Sequence, residues 1–259
     1  MTAVHGGWWY PAGFVAFFAV PFAVHLVRVR RGDVRLPPAR PGGAGARLFG
    51  PLFVSYYYWL LRPLFRAAER SGVTPNQVTL LSLVAAGAGA LAIATGHFAL
   101  ASALVVGGGT LDMVDGHLAR TKNMATSAGA FLDSTIDRVC DGLLFGGCVV
   151  HYAGTPVMGV ALAVLVLSFT VSYARSRGEV LGVTGSEGLM QRADRLALLG
   201  AALAFSSDAV TAGSLCVLAI LNAVTAYRRI VWTVQQLRQK SAAERQVPPA
   251  GAAAFRIGA

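Results

Sequence analysis

Asp112-Met113-Val114-Asp115-Gly116-His117-Leu118-Ala119-Arg120 is followed, eight residues on, by Gly129-Ala130-Phe131-Leu132-Asp133-Ser134-Thr135-Ile136-Asp137. The reading of this stretch decides the fold. Both halves carry helical spacing: Asp112 and Asp115 stand at i,i+3, and Asp133 and Asp137 at i,i+4. Each pair therefore projects from one side of its helix, one turn apart. The run lies within one of the most apolar parts of the chain. Ionisable groups at membrane depth are costly, which makes them functional candidates by default. Four carboxylates aimed at one place repel one another unless cations sit between them.

The surrounding composition is that of an integral membrane protein. The chain has 259 residues, of which 55% are hydrophobic and 13% charged, with a mean hydropathy of +0.57. A soluble domain carries about 25% charged residues. Cys140, Cys148 and Cys216 all fall in apolar stretches and show neither metal-ligand nor disulfide spacing, so they read as small buried hydrophobes. The formal net charge of +10 reads as a topological bias and as attraction to anionic lipid or phosphate substrates. Nucleic acid is not an expected partner.

Seven apolar segments are expected to span the bilayer: residues 8–27, 77–95, 98–118, 129–152, 155–174, 193–207 and 210–232. A crossing takes about 20 helical residues, so the sixth is short. The first segment lacks a basic leader and is followed by Arg28, Arg30 and Arg31 rather than by a cleavage site. It reads as a retained anchor. All 22 Lys and Arg fall at one end of this arrangement, and the turns near Gly96-His97, Tyr152–Thr155 and Ser206–Gly213 carry none. That asymmetry predicts an outside N-terminus, a cytoplasmic C-terminal tail and a multi-pass protein of the cell (inner) membrane.

The expected organisation is an N-terminal transmembrane anchor (1–32), a Pro/Gly/Arg linker (33–46), an interfacial amphipathic helix (47–72), a transmembrane core (73–235) and a cytoplasmic tail without fixed structure (236–259). The interfacial helix rests on Leu48, Phe49, Leu52, Phe53, Tyr56, Tyr57, Trp59, Leu60 and Leu64 interleaved with Arg47, Arg62, Arg66 and Arg70. The fold class is thus an all-α integral membrane protein, with a six-helix core plus one extra N-terminal helix and an interfacial helix.

Residues 119–128 form the loop between the third and fourth spans, so a helical hairpin brings the four aspartates together at the cytoplasmic end. Hard oxygen ligands at this density suit Mg²⁺ or Mn²⁺, and two such ions could clamp the phosphates of a nucleotide. Gly116 and Gly129 would let a phosphate or base approach the backbone. Arg120, eight residues after Asp112 and on nearly the same face, could reach a phosphate.

The pattern Asp112, Asp115, Gly116, Ala119, Arg120, Gly129, Asp133, Asp137 resembles the full signature of the CDP-alcohol phosphotransferases (CDP-alcohol phosphatidyltransferases). The hydropathy likeness runs over about 47–235, and the first span is additional to the family's six helices. The resemblance implies transfer of a substituted phosphate from a CDP-linked lipid, CDP-diacylglycerol, to an alcohol, with release of CMP. It implies that Asp112, Asp115, Asp133 and Asp137 hold two divalent cations, with Asp137 also the general base. It further implies that Asp112, Asp115, Gly116, Ala119, Arg120 and Gly129 line the CDP site, and that the protein forms a homodimer. Thr74-Pro75-Asn76-Gln77-Val78-Thr79 reads locally as an N-cap with Pro at the first helical position. It is similar to a family run whose polar residues, here Asn76 and Thr79, approach the nucleotide.

Basic residues at the ends of the last three spans read either as membrane anchors or as a pocket for an acceptor that carries its own phosphate. Their places resemble the phosphatidylinositol-phosphate synthase branch of the family, which implies that Arg175, Arg195 and Arg228 bind the phosphate of inositol 1-phosphate. Gln191 stands where that branch has Glu, and a one-residue shift would exchange Arg228 for Arg229. Branches that use glycerol 3-phosphate have similar basic residues, so that acceptor, or another alcohol, is the alternative. An intramembrane prenyltransferase would place its aspartate pairs on widely separated loops. A transporter would spread ionisable groups along a full crossing. The clustered pairs here fit neither well.

Overall fold

The structure is a computed structural model that describes residues 9–33, 50–183 and 188–246. The linker from 34 onward and the tail beyond 246 lie outside the described residues. The described residues are helical throughout, with no strand: α1 (Trp9–Arg30), α2 (Gly50–Leu60), α3 (Arg62–Arg70), α4 (Pro75–Ala94), α5 (Phe98–Thr121), α6 (Ser127–His151), α7 (Pro156–Val180), α8 (Arg192–Ala204) and α9 (Asp208–Gln246).

All seven expected crossings have a helix. Among the described residues five are long and apolar enough to span a membrane: α1, α4, α5, α7 and α9. The other two differ for separate reasons. α6 has 25 residues but carries Asp133, Asp137, Arg138 and Asp141 within its first fifteen. α8 has only 13 residues, about 20 Å of helix at 1.5 Å per residue, short of the roughly 30 Å hydrocarbon layer.

Two boundaries depart from expectation. The interfacial segment is not one helix: it breaks at Leu61, between α2 and α3. Pro63 has no N–H to donate to the carbonyl of Trp59, and its ring crowds that turn. α3 is amphipathic, burying Phe65 while Arg62, Arg66 and Arg70 face outward. α2 instead leans on α1, where the Tyr56 hydroxyl donates to the Phe18 carbonyl at 2.7 Å. The second departure is at the C-terminal end. The tail expected to be unstructured from 236 is helical as far as Gln246, continuous with the last span. Of the three cysteines expected to be buried, Cys140 and Cys148 are, whereas Cys216 is exposed on α9.

Caps set where the hairpins turn. At the start of α4 the Gln77 side chain accepts from the Thr74 backbone N–H (3.0 Å), with Pro75 at the first helical position. At the start of α6 the Thr126 hydroxyl accepts from the Gly129 N–H at 3.0 Å. α4 packs on α5 and α6, α5 on α8, and α7 on α6 and α9. A close crossing joins α4 to α6, where a Cβ on Gly147 would stand 2.6 Å from the Ala90 carbonyl oxygen. The core between these helices gathers Ile93, Val105, Leu144, Phe145, Val164, Leu199 and Leu218.

Polar pairs fix which ends share a side. At one end Tyr10 of α1 donates to the Ala99 carbonyl of α5 (2.7 Å), and His151 of α6 meets Asp208 of α9 at 2.7 Å. At the other end Glu69 of α3 meets His117 of α5 at 2.8 Å, and the His117 ring stacks on Phe65 at 4.4 Å. All four signature aspartates lie towards this second end.

Candidate active site

The hairpin α5–α6 brings Asp112, Asp133 and Asp137 together. Each offers a carboxylate oxygen, and these oxygens all lie within 4.8 Å of one another. Asp133 and Asp137 are one turn apart on α6, and Asp112 faces them from α5. Asp133 Oδ1 is buried and has no hydrogen-bond partner. A buried carboxylate oxygen without a partner is costly, and a divalent cation would relieve it. The donor set is all carboxylate, which suits a hard ion such as Mg²⁺ or Mn²⁺.

Asp115 stands outside this trio. It is buried, and its Oδ2 accepts from the Thr79 hydroxyl of α4 at 2.7 Å. Thr79, expected to approach a nucleotide, here spends its hydroxyl on a signature aspartate. Asn76 and Gly129 do come together: a Cβ on Gly129 would stand 3.6 Å from Asn76 Oδ1. Gly116 lies beneath Arg120, whose Nη1 would be 3.2 Å from an added Cβ. Ala119 is half-buried and Arg120 exposed on the same last turn of α5.

The feature that sequence reasoning missed is a set of ion pairs from α8. Arg192 Nη1 reaches Asp112 Oδ1 at 2.9 Å and Asp137 Oδ1 at 2.7 Å, while Arg192 Nε reaches Asp141 Oδ1 at 3.2 Å. Asp141 Oδ2 also takes Arg195 Nη2 at 2.7 Å. Asp141 lies one turn past the signature, so Asp133, Asp137 and Asp141 continue a single i,i+4 row along α6. That row was visible in the sequence. Its partners were not, because they come from more than 50 residues away.

The expected acceptor arginines are divided. Arg195 is buried within the ion-pair set. Arg175 is partly exposed and pairs with Glu179 one turn on, at 2.9 Å. Arg228 is exposed, and its neighbour Arg229 is buried and donates to the Val171 carbonyl at 2.7 Å. The phase of α9 therefore turns Arg229 inward. Asn222 and Thr225 share that face: Asn222 lies 3.4 Å from the Ser168 hydroxyl, and Thr225 accepts from the Met190 N–H at 3.2 Å.

A hairpin that converges three signature carboxylates, backed by arginines from a third helix, defines a phosphotransfer site of the CDP-alcohol type. The family model for CDP-alcohol phosphatidyltransferase matches residues 72–224, and the chain belongs to that family. It is a membrane-embedded transferase with a divalent-cation site. Among its relatives, phosphatidylinositol phosphate synthase of Streptomyces avermitilis is 31% identical over 227 residues, covering 80% of this chain and 93% of the relative. The protein of that name from Mycolicibacterium smegmatis is 37% identical over 185 residues, 67% of this chain and 83% of the relative. The crystal structure of Mycobacterium tuberculosis phosphatidylinositol phosphate synthase with CDP-DAG bound superposes with a TM-score of 0.60 at 30% identity, covering 66% of this chain and 92% of that one. The same protein in complex with manganese and citrate gives 0.61 at 31% identity, covering 67% and 88%. The family match begins at residue 72, so α1 to α3 lie outside it.

Proposed function

We propose that this chain transfers the phosphatidyl group of CDP-diacylglycerol to a hydroxyl of inositol 1-phosphate and releases CMP. The observation that carries the reading is the convergence of Asp112, Asp133 and Asp137 around the unpartnered Asp133 Oδ1. The names of the relatives and the CDP-DAG bound to the similar mycobacterial structure supply the donor and the acceptor.

Asp112, Asp133 and Asp137 would hold divalent metal, with Asp115 completing the set once its hydrogen bond to Thr79 is exchanged. Two bound ions would neutralise the pyrophosphate and the charge that develops on the leaving CMP. Asn76, Thr79, Gly116, Ala119, Arg120 and Gly129 would border the CDP moiety, with Arg120 exposed and able to meet phosphate as a fork. Asp137 takes the proton from the acceptor hydroxyl. The hydroxyl oxygen bonds to the phosphorus that bears diacylglycerol, and the bond from that phosphorus to the oxygen of CMP breaks. A positioned base contributes about 10²–10⁴-fold. Arg195 would meet the acceptor's phosphate, with Arg175 at the rim. On α9 the inward residue is Arg229, so it replaces Arg228 in this role. The motif end is placed at the cytoplasmic face because the basic residues gather there, and the family resemblance favours a homodimer.

The test is CMP release from CDP-diacylglycerol by purified protein with Mg²⁺ or Mn²⁺, offered inositol 1-phosphate, free inositol, glycerol 3-phosphate or serine. Turnover with inositol 1-phosphate alone is expected. Turnover with glycerol 3-phosphate instead would keep the aspartate chemistry and overturn the acceptor. No CMP from any of them would overturn the reading.

A further inference from the structure

We propose that Arg192 is a resident cation of the aspartate site, tethered by Asp141, that competes with the divalent metal for Asp112 and Asp137 and so sets how tightly metal binds. The proposal rests on the reading of Asp112, Asp133 and Asp137 as metal ligands.

Geometry makes Arg192 a bridge. Its Nη1 lies 2.9 Å from Asp112 Oδ1 and 2.7 Å from Asp137 Oδ1, joining α5 to α6 through a group from α8. Two of the three clustered carboxylates therefore already have a positive partner, and only Asp133 keeps an unpaired buried oxygen. A divalent ion ligated by the oxygens that Arg192 holds would stand beside a guanidinium, and the two like charges would repel. Metal binding must then loosen at least one of these charge-assisted hydrogen bonds.

Asp141 keeps the guanidinium close when that happens. Its side chain is 3% exposed and takes Arg192 Nε on one oxygen and Arg195 Nη2 on the other. An arginine released from Asp112 and Asp137 thus stays hydrogen-bonded to Asp141 at the edge of the site. The charge balance agrees. Asp112, Asp115, Asp133, Asp137 and Asp141 stand against Arg192 and Arg195, five carboxylates to two cations. One divalent ion fits within that deficit of three. Loading a second ion with Arg192 still bridging would over-fill the site until the substrate's pyrophosphate arrives. Arg192 thereby favours metal that enters together with the CDP-lipid.

Mn²⁺ binding to detergent-purified protein, read from the paramagnetic resonance of free Mn²⁺ without substrate, tests this directly. Arg192→Gln is expected to bind Mn²⁺ about tenfold tighter than the unaltered chain, the effect of removing one competing charge-assisted hydrogen bond. Arg192→Lys keeps the charge but concentrates it on one nitrogen, losing the separated Nη1 and Nε that Arg192 uses to reach the site and Asp141 together, and should fall between the two. It decides the matter if the glutamine variant does not fold. Unchanged or weaker Mn²⁺ affinity in the folded variants would overturn the competition. If neither the unaltered chain nor Arg192→Gln binds Mn²⁺, or Asp133→Asn binds it as well as the unaltered chain, the metal-site reading fails and this inference goes with it.

Discussion

Arg195 and Asp141 meet at 2.7 Å with only 1% and 3% of their side chains exposed. Arg195, proposed to meet the acceptor's phosphate, is therefore two hydrogen bonds removed from Arg192, through Asp141, and three from Asp112 and Asp137. Truncating Arg195 would leave Oδ2 of the buried Asp141 without its partner, which costs about 1–3 kcal/mol, so alanine confounds folding with function. Arg195→Lys is the cleaner variant, because it keeps the charge and loses the fork. It should raise the acceptor KM by at least about tenfold, the loss of one charge-assisted hydrogen bond, and leave the KM for CDP-diacylglycerol within about twofold. Arg228→Ala, on the exposed side of α9, should change neither. Steady-state kinetics on both substrates check this, and a selective effect on CDP-diacylglycerol would move Arg195 out of the acceptor pocket.

Asp137 is both a member of the carboxylate trio and the proposed base. Asp137→Asn keeps the shape of the side chain and removes the proton acceptor. Turnover should fall by at least the roughly 10²–10⁴-fold a positioned base supplies. CMP binding should survive, since Asp112, Asp115 and Asp133 remain. Calorimetric CMP titration beside a CMP-release assay separates these effects. A variant with normal turnover would remove Asp137 from the base role.

Thr79→Val removes the hydroxyl that donates to the buried Asp115. Leaving that carboxylate oxygen unsatisfied should cost about 1–3 kcal/mol, and Thr79→Ser should recover most of it. Thermal unfolding of the metal-free protein in detergent measures the loss. Addition of Mn²⁺ should narrow the gap between Thr79→Val and the unaltered chain if Asp115 becomes a ligand. An unchanged gap would leave Asp115 a structural carboxylate.

The hydropathy pattern was enough to locate a helix in each of the seven expected segments, five of them long and apolar enough to span a membrane, because apolar length is a property of local sequence. The aspartate trio was legible for the same reason: spacing within two helices, plus one short hairpin, fixes which side chains can meet. What escaped was tertiary. Arg192 could be seen as basic, but its pairing with Asp112, Asp137 and Asp141 depends on how α8 docks. Arg229 was recoverable in principle. It stands in phase with Asn222 and Thr225 along α9, and a polar stripe at that spacing on an apolar helix marks the buried face. The break at Leu61 was written in Pro63. The helical stretch after 235 was misread because Pro and Gly gather only beyond Val247, whereas Gln235–Gln246 is rich in Gln, Arg, Lys and Ala, all good helix formers except its single Ser.

Gly147 controls the distance between the helices that carry Asn76 and the aspartate row. A Cβ there would meet the Ala90 carbonyl oxygen at 2.6 Å and its Cα at 3.0 Å, and backbone atoms cannot step aside as a flexible side chain can. At the preceding Gly146 nothing lies within 4 Å. Gly147→Ala should therefore push α4 from α6 and cost about 1–3 kcal/mol through overpacking. Gly146→Ala should be neutral or slightly stabilising, since alanine is the better helix former by about 1 kcal/mol. Because α4 carries Asn76 and Thr79 at one end, Gly147→Ala should also weaken CMP binding, although Gly147 lies well over a helical turn beyond the aspartates. Paired melting curves and CMP titrations on the two variants check this. Equal behaviour would mean that the α4–α6 crossing does not set the geometry of the nucleotide site.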